Sequence, residues 1–285
     1  MSEVRQRWRL VFARDEAAQY LAHLDAVRLW ERAFRRGGIP VATSEGFNPR
    51  LKLIFAAPLQ LGMLAEHELA DLYLAERLSA PDLRDRLAAG MPNGYRIVDL
   101  HDIWIGAPAL APQLEAADYR VTLLHVGSSM LEAATVDLMA AAQLPRQRRK
   151  ETRNIPYDLR PLLLDLRVIR AELAAVPPEA DPGDAAELWM RLRHSQDRGS
   201  GRAEEVVAAL AEHLGLAADV GTETDLVEMP ATSPETPAAV DVAAAVARPR
   251  PAIEIVRAVR ERLWLAAELL PPESAPDRAA HDLDA

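Results

Sequence analysis

The sequence predicts an α+β protein made of two tandem ferredoxin-like domains, each an antiparallel sheet with helices packed on one face. Residues 8–100 alternate between β-prone segments and helical patterns, and a similar order of strands and helices returns from Tyr119. A stretch rich in threonine, proline and alanine then interrupts the second unit, because such a composition cannot bury much surface. The predicted boundaries are 1–106 for the N-terminal domain, 107–216 for the second domain, 217–251 for a low-complexity disordered insertion, 252–270 for a returning final element of the second domain, and 271–285 for an acidic tail.

The first unit contains a long amphipathic helix. Its apolar residues recur at three- and four-residue spacing, as one face of a helix requires; they are Tyr20, Leu24, Val27, Trp30 and Phe34. Gly37 and Gly38 are expected to end this helix, since glycine commonly follows the last helical turn. Around it, strands are predicted at residues 8–12, 39–42, 50–55, 69–74 and 95–100, with a second helix at 81–89 that Ser79 opens.

The second unit repeats this order without repeating the sequence. Strands are predicted at residues 119–124 and 188–193, and helices at 130–142 and 203–214. Between them, residues 146–155 and 157–168 are expected to form a basic hairpin or strand pair. Residues 253–270 regain apolar character and are expected to supply the last element of this domain.

Composition excludes several classes of function. The chain contains no cysteine, so it forms no disulfide, carries no thiol nucleophile and cannot ligate an iron–sulfur cluster by itself. No run approaches the roughly 20 apolar residues of a membrane span. The N-terminus lacks the basic and apolar segments of a signal peptide, so a cytoplasmic protein is expected.

The net charge of −10 hides an uneven distribution. Basic side chains concentrate near the N-terminus and in a second cluster, so a local positive surface for phosphates is possible despite the total charge. The candidate contacts are Arg28, Arg32 and Arg35 on one helical face together with Arg36, then Arg50 and Lys52, and finally Arg148, Arg149 and Lys150. The alternative is a solvated face, partly neutralised by acidic neighbours.

His23 is the candidate for acid/base chemistry. It stands at the start of the first long helix with Asp25 nearby, and a histidine pKa lies close to neutral. The alternative is a histidine that only caps or packs the helix. A metal site is not expected, because no second histidine follows at ligand spacing.

Two further pairs are candidates for binding. Phe47 and Asn48 lie in a turn and can stack on and hydrogen-bond a base, or else form an ordinary tight turn. Asp158 and Arg160 are two residues apart in a predicted strand and so share one face. The alternative to binding is a structural ion pair or a network with a neighbouring loop.

A resemblance rests on a few segments. Tyr20–Asp25 runs into Arg28–Ala33, and Ser44–Pro49 is followed by Pro58–Gly62. Together they resemble the radical-SAM-associated (radical SAM-linked) domain family, an uncharacterised family whose members are encoded beside, or fused behind, cobalamin-binding radical S-adenosylmethionine proteins. Asp158–Pro161 also resembles a family element, and the resemblance covers about residues 5–215. It implies that the cluster and the cobalamin belong to a partner enzyme and that this chain binds no cofactor.

Three functions are therefore expected as alternatives. The first is an accessory protein that binds or presents an RNA substrate to a cobalamin-type radical enzyme, with the basic residues making the contacts. The second is a metal-independent endoribonuclease in which His23 is the general acid or base, supported by Tyr20 or an arginine. The third is a protein–protein adapter with no RNA role, in which the acidic segments dock a partner.

Overall fold

A computed structural model describes residues 3–44, 49–150, 153–169, 185–219 and 252–269. Within these ranges the chain is an α+β protein, as predicted. The helices are α1 His23–Arg36, α2 Ala80–Gly90, α3 Ser128–Ala140, α4 Ala203–His213 and α5 Ala266–Leu269. The strands are β1 Gln6–Arg14, β2 Leu53–Phe55, β3 Leu64–Leu74, β4 Tyr95–Ile103, β5 Leu114–Leu124, β6 Pro145–Lys150, β7 Arg153–Asp158, β8 Leu163–Ile169, β9 Ala185–Ser195, β10 Gly199–Ser200, β11 Ala217–Asp219 and β12 Ala252–Leu265.

One ten-stranded sheet runs through the described part of the chain, in the order β10-β9-β5-β12-β3-β1-β4, with β2 on β3, β8 on β9 and β11 on β12. The first half supplies β4-β1-β3-β2 and the second half supplies β12-β5-β9-β8, and all pairs within these two groups are antiparallel. A short parallel contact joins the halves, where Val259 and Arg260 of β12 face Leu64 and Ala65 of β3. The predicted α+β class with mostly antiparallel pairing is confirmed, but the strands form one large sheet, and the division into two ferredoxin-like domains stays a prediction.

The first half has its own core beneath α1 and α2. Trp8, Leu10 and Phe12 alternate along β1 towards the helices, as the two-residue period of a strand dictates. Trp30 of α1 is fully buried, and its ring meets the ring of Phe12 edge-on at 4.9 Å between centroids. Burying large side chains of this kind stabilises a domain by about 1.5–3 kcal/mol each, so α1 is anchored by its inner face.

The helix pattern predicted from the sequence is right at its end and wrong at its beginning. The helix starts at His23, so Tyr20 precedes it, and both Tyr20 and Leu24 are exposed. The apolar spacing places Trp30 and Phe34 in the core. Tyr20 and Leu24 follow the same spacing, but they lie where no neighbouring element covers their side chains.

α1 and α2 approach each other at the level of the main chain. A Cβ on Gly90 would lie 2.3 Å from a main-chain oxygen of α1, and one on Gly37 would lie 2.3 Å from the Arg86 carbonyl oxygen. Each helix end is capped by an arginine of the other helix. Arg36 donates to the carbonyl of Gly90 at 3.0 Å, and Arg86 donates to the carbonyl of Gly38 at 2.6 Å. Carbonyls at a helix end have no partner within the helix, and guanidinium groups supply one here.

In the second half, α3 and α4 pack over a core formed by β5, β8, β9 and β12. The basic strand pair is the hairpin β6–β7, which is shorter than predicted, and β8 is a separate strand. Residues 217–219 of the predicted insertion form β11. The rest of that insertion, residues 220–251, lies outside the described residues, as do the tail and the turn residues Phe47 and Asn48.

No helix within the described ranges is long and apolar enough to cross a membrane.

Candidate functional site

A small pocket opens beneath the N-terminal end of α1, at the end of the N-terminal core nearest to β12. Its volume of about 20 Å³ is enough for a group of the size of one water molecule. The lining residues are Phe12, Arg14, His23, Ala26, Phe55, Leu59, Glu68 and Tyr95. Apolar walls surround a floor with three polar side chains, which is the general composition of a ligand site.

His23 stands at the rim of this pocket. It is exposed, and its ring lies edge-on to Phe55 at 5.7 Å between centroids. Asp25 accepts a hydrogen bond from Arg28 at 3.2 Å, and within the described residues no carboxylate lies within ion-pairing distance of His23. The structure therefore places the predicted His23 at a concave surface but gives it no carboxylate to orient its ring.

Arg14 shapes the pocket from below. Its guanidinium donates to the main-chain carbonyls of Met63 at 3.1 Å, Gln60 at 2.7 Å and Leu21 at 3.3 Å. Burial lowers the pKa of Arg14, an effect that Tyr95 opposes. Burial likewise raises the pKa of Tyr95, and the Arg14 charge opposes that rise. Arg14 thus ties the segment before α1 to the loop before β3.

Glu68 forms the deepest polar part of the site. It accepts two hydrogen bonds from Arg260 of β12, at 2.6 Å from Nε and 2.5 Å from Nη2. Both residues are 2% exposed, and burial by itself lowers the pKa of Arg260, but the Glu68 carboxylate raises it above its ordinary value. This ion pair lies where the two halves of the sheet meet, so the pocket floor and the joint between the halves share one carboxylate.

The predicted basic residues belong to three separate parts of the chain, namely α1, the segment before β2, and the hairpin β6–β7. Arg28, Arg32 and Arg35 are exposed on α1, and within the described residues Arg32 and Arg35 have no hydrogen-bond or ion-pair partner. Arg50 is exposed and Lys52 is half-buried, both just before β2. Arg36, by contrast, has the capping role described above.

The hairpin β6–β7 lies on the other half. Arg148 pairs with Glu205 of α4 through two hydrogen bonds of 2.8 and 2.7 Å and stacks over the Tyr157 ring at 4.8 Å. Hydrogen bonding to Glu205 raises the pKa of Arg148, so its charge is used within the protein. Arg149 and Lys150 belong to β6 by their main chain, and their side chains are outside what the structure describes. Within the described residues, no hydrogen bond or ion pair links this hairpin to α1.

Asp158 and Arg160 serve the main chain of this half. Asp158 accepts from the Leu144 amide at 2.7 Å and from the Arg160 amide at 3.0 Å. The Arg160 guanidinium donates to the carbonyls of Met139 at 2.9 Å and Leu163 at 2.7 Å. Asp158 is the last residue of β7 and Arg160 is the first residue of a 3-10 helix, so the two residues do not share one strand as predicted. Within the described residues their side chains form no ion pair with each other. Their contacts fit the other structural alternative, a network with neighbouring loops, which here holds the base of the hairpin.

A row of alternating arginines and tryptophans, here called the ladder, lies on the face of the sheet opposite α3 and α4, and the sequence did not reveal it. Guanidinium groups and indole rings alternate there: Arg167 and Arg191 lie 5.2 and 5.5 Å from the Trp189 ring centroid, and Arg191 and Arg262 lie 4.6 and 4.0 Å from that of Trp264. Each arginine also has a carboxylate partner: Arg167 pairs with Asp165, Arg191 with Asp118, and Arg262 with Glu268. The ladder therefore balances its own charge.

Sequence reasoning also missed the polar residues of the pocket, although a signal was present. Trp8, Leu10, Phe12 and Arg14 share one face of β1, so Arg14 occupies a core-facing position. Glu68 is in the same phase as the buried Ala70, Leu72 and Leu74 of β3. A charged residue in the core phase of a strand indicates a buried partner, because an unpaired buried charge is costly. Within the described part of the chain, no group of acidic or histidine side chains is arranged to hold a metal ion.

Comparison with known proteins gives a family and little else. No curated protein matches the sequence. Among solved structures, the "Crystal Structure of an Unknown Protein from Galdieria sulphuraria" is 14% identical and covers 75% of this chain and 95% of that chain, with a TM-score of 0.23. A similarity at that TM-score supports no statement about shared fold or function.

A bacterial protein family matches residues 7–198 of the chain. These residues include the pocket rim, α1 and the hairpin, whereas β12 lies beyond them. The family description names no radical enzyme, so that association stays a prediction. Because the match covers more than half of the 285 residues, the chain belongs to the family described as "Uncharacterized protein conserved in bacteria (DUF2344)".

Proposed function

We propose that this chain is a non-catalytic accessory protein that binds an RNA substrate for a cobalamin-type radical S-adenosylmethionine enzyme. The enzyme supplies the cluster, the cobalamin and the radical, since this chain has no thiolate for a cluster. The radical partner is supported by the resemblance of the Tyr20–Asp25 and Ser44–Pro49 segments. RNA binding is supported by the charge on α1.

The observation that carries RNA binding is the outer face of α1. Arg32 and Arg35 are exposed cations without an intramolecular partner in the described residues, and Arg28 has one exposed partner at 3.2 Å. Exposed pairs contribute about 0–1 kcal/mol, so Arg28 exchanges Asp25 for a phosphate at little cost. Guanidinium groups bind phosphate oxygens through two parallel donors, which suits this stripe to a nucleic-acid backbone.

The strand order supports the finer fold that we propose beside this function. In the first half, β1 lies between β3 and β4, and β2 pairs with the other side of β3. In the second half, leaving the hairpin β6–β7 aside, β5 lies between β9 and β12, and β8 pairs with the other side of β9. This is the strand order that a ferredoxin-like unit requires. Many ferredoxin-like domains bind RNA, and this step is an analogy of fold.

Arginine substitution tests RNA binding. We expect Arg32→Ala with Arg35→Ala to weaken RNA binding and to make the slope of log affinity against log salt less steep by about 1.4, because each single-strand phosphate contact contributes about 0.7. The matched control is Arg167→Ala with Arg198→Ala, which removes the same charge from two exposed arginines that are already paired with Asp165 and Glu115. Equal slopes for the two double variants contradict RNA binding by α1.

Anaerobic affinity purification of the tagged protein, with and without nuclease, tests the partner. A radical enzyme recovered together with a defined RNA supports the accessory function. The enzyme recovered without RNA supports the adapter instead, and recovery of neither contradicts the whole proposal.

The second candidate is the endoribonuclease, and the position of His23 favours it. His23 is exposed at the rim of a pocket whose lining includes Arg14 and Tyr95. The pocket is too small for a ribose, so a substrate would lie across its mouth, within reach of the imidazole. Cleavage of the copurified RNA by the parent protein and not by His23→Ala supports this function, whereas intact RNA with both proteins removes it.

A further inference from the structure

A cluster of exposed apolar residues lies at the N-terminal end of α1, where the arginine stripe begins. Tyr20 is 75% exposed, Leu24 is 64% exposed and Leu61 is 40% exposed. Single exposed apolar residues are common, but several at one end of a helix indicate contact with a ligand or partner.

Hydrogen bonds fix this cluster in place. The Gly62 amide donates to the Gln19 carbonyl at 3.0 Å, and the Gln19 side chain donates to the Gly62 carbonyl at 2.7 Å. Gly62 has a φ of +77°, and a Cβ at that position would lie 3.8 Å from the Tyr20 ring. Arg14 adds hydrogen bonds to the carbonyls of Leu21 and Gln60 on either side. The Tyr20 ring is thus presented by two segments that are tied to each other.

Leu24, the member of the cluster that belongs to α1, lies on the same side of the helix as the arginine stripe. At about 100° per helical residue, Arg28 lies about 40° and Arg35 about 20° from the line through Leu24 along α1, and Arg32 about 80°. The 14 residues of α1 extend about 21 Å. Glu31 lies on the same side and offsets one of the three positive charges.

We propose that this surface binds single-stranded RNA, with phosphates along Arg28, Arg32 and Arg35 and one unpaired base stacked on Tyr20. The assignment rests on the proposed RNA-binding function and names the form of RNA and the residue that holds a base. A cationic track combined with an exposed aromatic ring is how single strands are bound, because every base offers a stacking face. A duplex hides those faces, and its deep, narrow major groove does not admit side chains.

The test uses fluorescence anisotropy with a labelled oligoadenylate of about 12 nucleotides and with the same strand in a duplex. We expect Tyr20→Ala to weaken single-strand binding by about tenfold, since one base–aromatic stack is lost. The slope against salt should not change, because no phosphate contact is removed. Tyr20→Phe keeps the ring and should bind as the parent does. Trp104→Ala removes another aromatic residue that is 78% exposed, and it should have no effect.

The outcomes separate this inference from the function on which it rests. If neither oligonucleotide binds, or if the α1 arginines do not matter, RNA binding by α1 fails and the inference fails with it. If the arginines matter but Tyr20→Ala binds like Trp104→Ala, or if the duplex binds as tightly as the single strand, only the inference fails. Because Tyr20 is 75% exposed, its substitution should leave the folded state intact, which thermal unfolding of each variant verifies.

Discussion

Substitution of Glu68 by glutamine should destabilise the protein more than the loss of any surface charge. Glu68 and Arg260 are each 2% exposed and are joined by two hydrogen bonds of 2.6 and 2.5 Å. The glutamine keeps the shape of the side chain but leaves the guanidinium buried without a counter-charge. Breaking a buried ion pair in this way costs about 3–5 kcal/mol, a large part of the 5–15 kcal/mol that is typical of a whole domain.

Urea unfolding followed by tryptophan fluorescence measures this loss. In thermal unfolding, the same loss should lower the melting temperature by about 6–20 °C, since each kcal/mol corresponds to about 2–4 °C for a large domain. The variant Glu68→Leu with Arg260→Met should regain most of the stability, because both charges are removed together. The surface control is Asp165→Asn, whose partner Arg167 is 66% exposed, and its stability should stay close to that of the parent protein. If Glu68→Gln loses no more than this control, the argument for an obligatory buried pair is refuted.

Three more predictions concern other parts of the fold. Burial and the charge of Arg260 lower the pKa of His194 to about 4, so between about pH 6.5 and pH 4 this histidine takes up a proton only in the unfolded chain. The contribution of His194 to stability is therefore complete above that range and falls by roughly 3 kcal/mol as the pH drops to 4. His194→Gln should flatten this part of a plot of urea midpoint against pH. Gly90→Ala places a Cβ against main-chain oxygen of α1 and should lower the melting temperature, although alanine favours an isolated helix by about 1 kcal/mol; a higher melting temperature contradicts the close approach. Asp118→Ala removes an acceptor from Arg191 and from the Trp264 indole, which donates to Asp118 at 2.8 Å. The substitution should lower the free energy of unfolding by about 2–3 kcal/mol and shift tryptophan emission to the red. Unchanged emission contradicts the ladder.

Local pattern was enough to predict much of the fold. The spacing of Trp30 and Phe34 predicts α1, because this helix buries one face against a core. The strand predicted at residues 69–74 is part of β3. The pattern does not fix where burial ends. Tyr20 and Leu24 continue the helical period but lie beyond the elements that cover Trp30, so they are exposed.

The candidate site was harder to predict, since its parts come from distant segments. Glu68 meets Arg260 across 192 residues of sequence, and nothing local to either residue names the other. Arg148 belongs to an obvious basic cluster, yet Glu205 neutralises it from another element. Arg32 and Arg35 retain their predicted exposure because α1 is amphipathic and its outer face meets no other described element with an opposite charge. Charge runs in a sequence therefore give candidates, and only tertiary pairing shows which of them are free.

The position of β12 in the sheet has a consequence for the order of events during synthesis. Glu68 leaves the ribosome 192 residues before Arg260, which at about 5–20 residues per second is a delay of roughly 10–40 seconds. The start of β3 is an open edge throughout that interval, and β5 is one from the time it emerges until β12 pairs with it. An open edge invites pairing with another nascent chain. The first half of the sheet thus emerges with a charge that it cannot yet pair, and the protein depends on β12 to cover the edge and to complete the ion pair. Slow translation of the segment before β12 should therefore increase aggregation in cells without changing the stability of the finished fold.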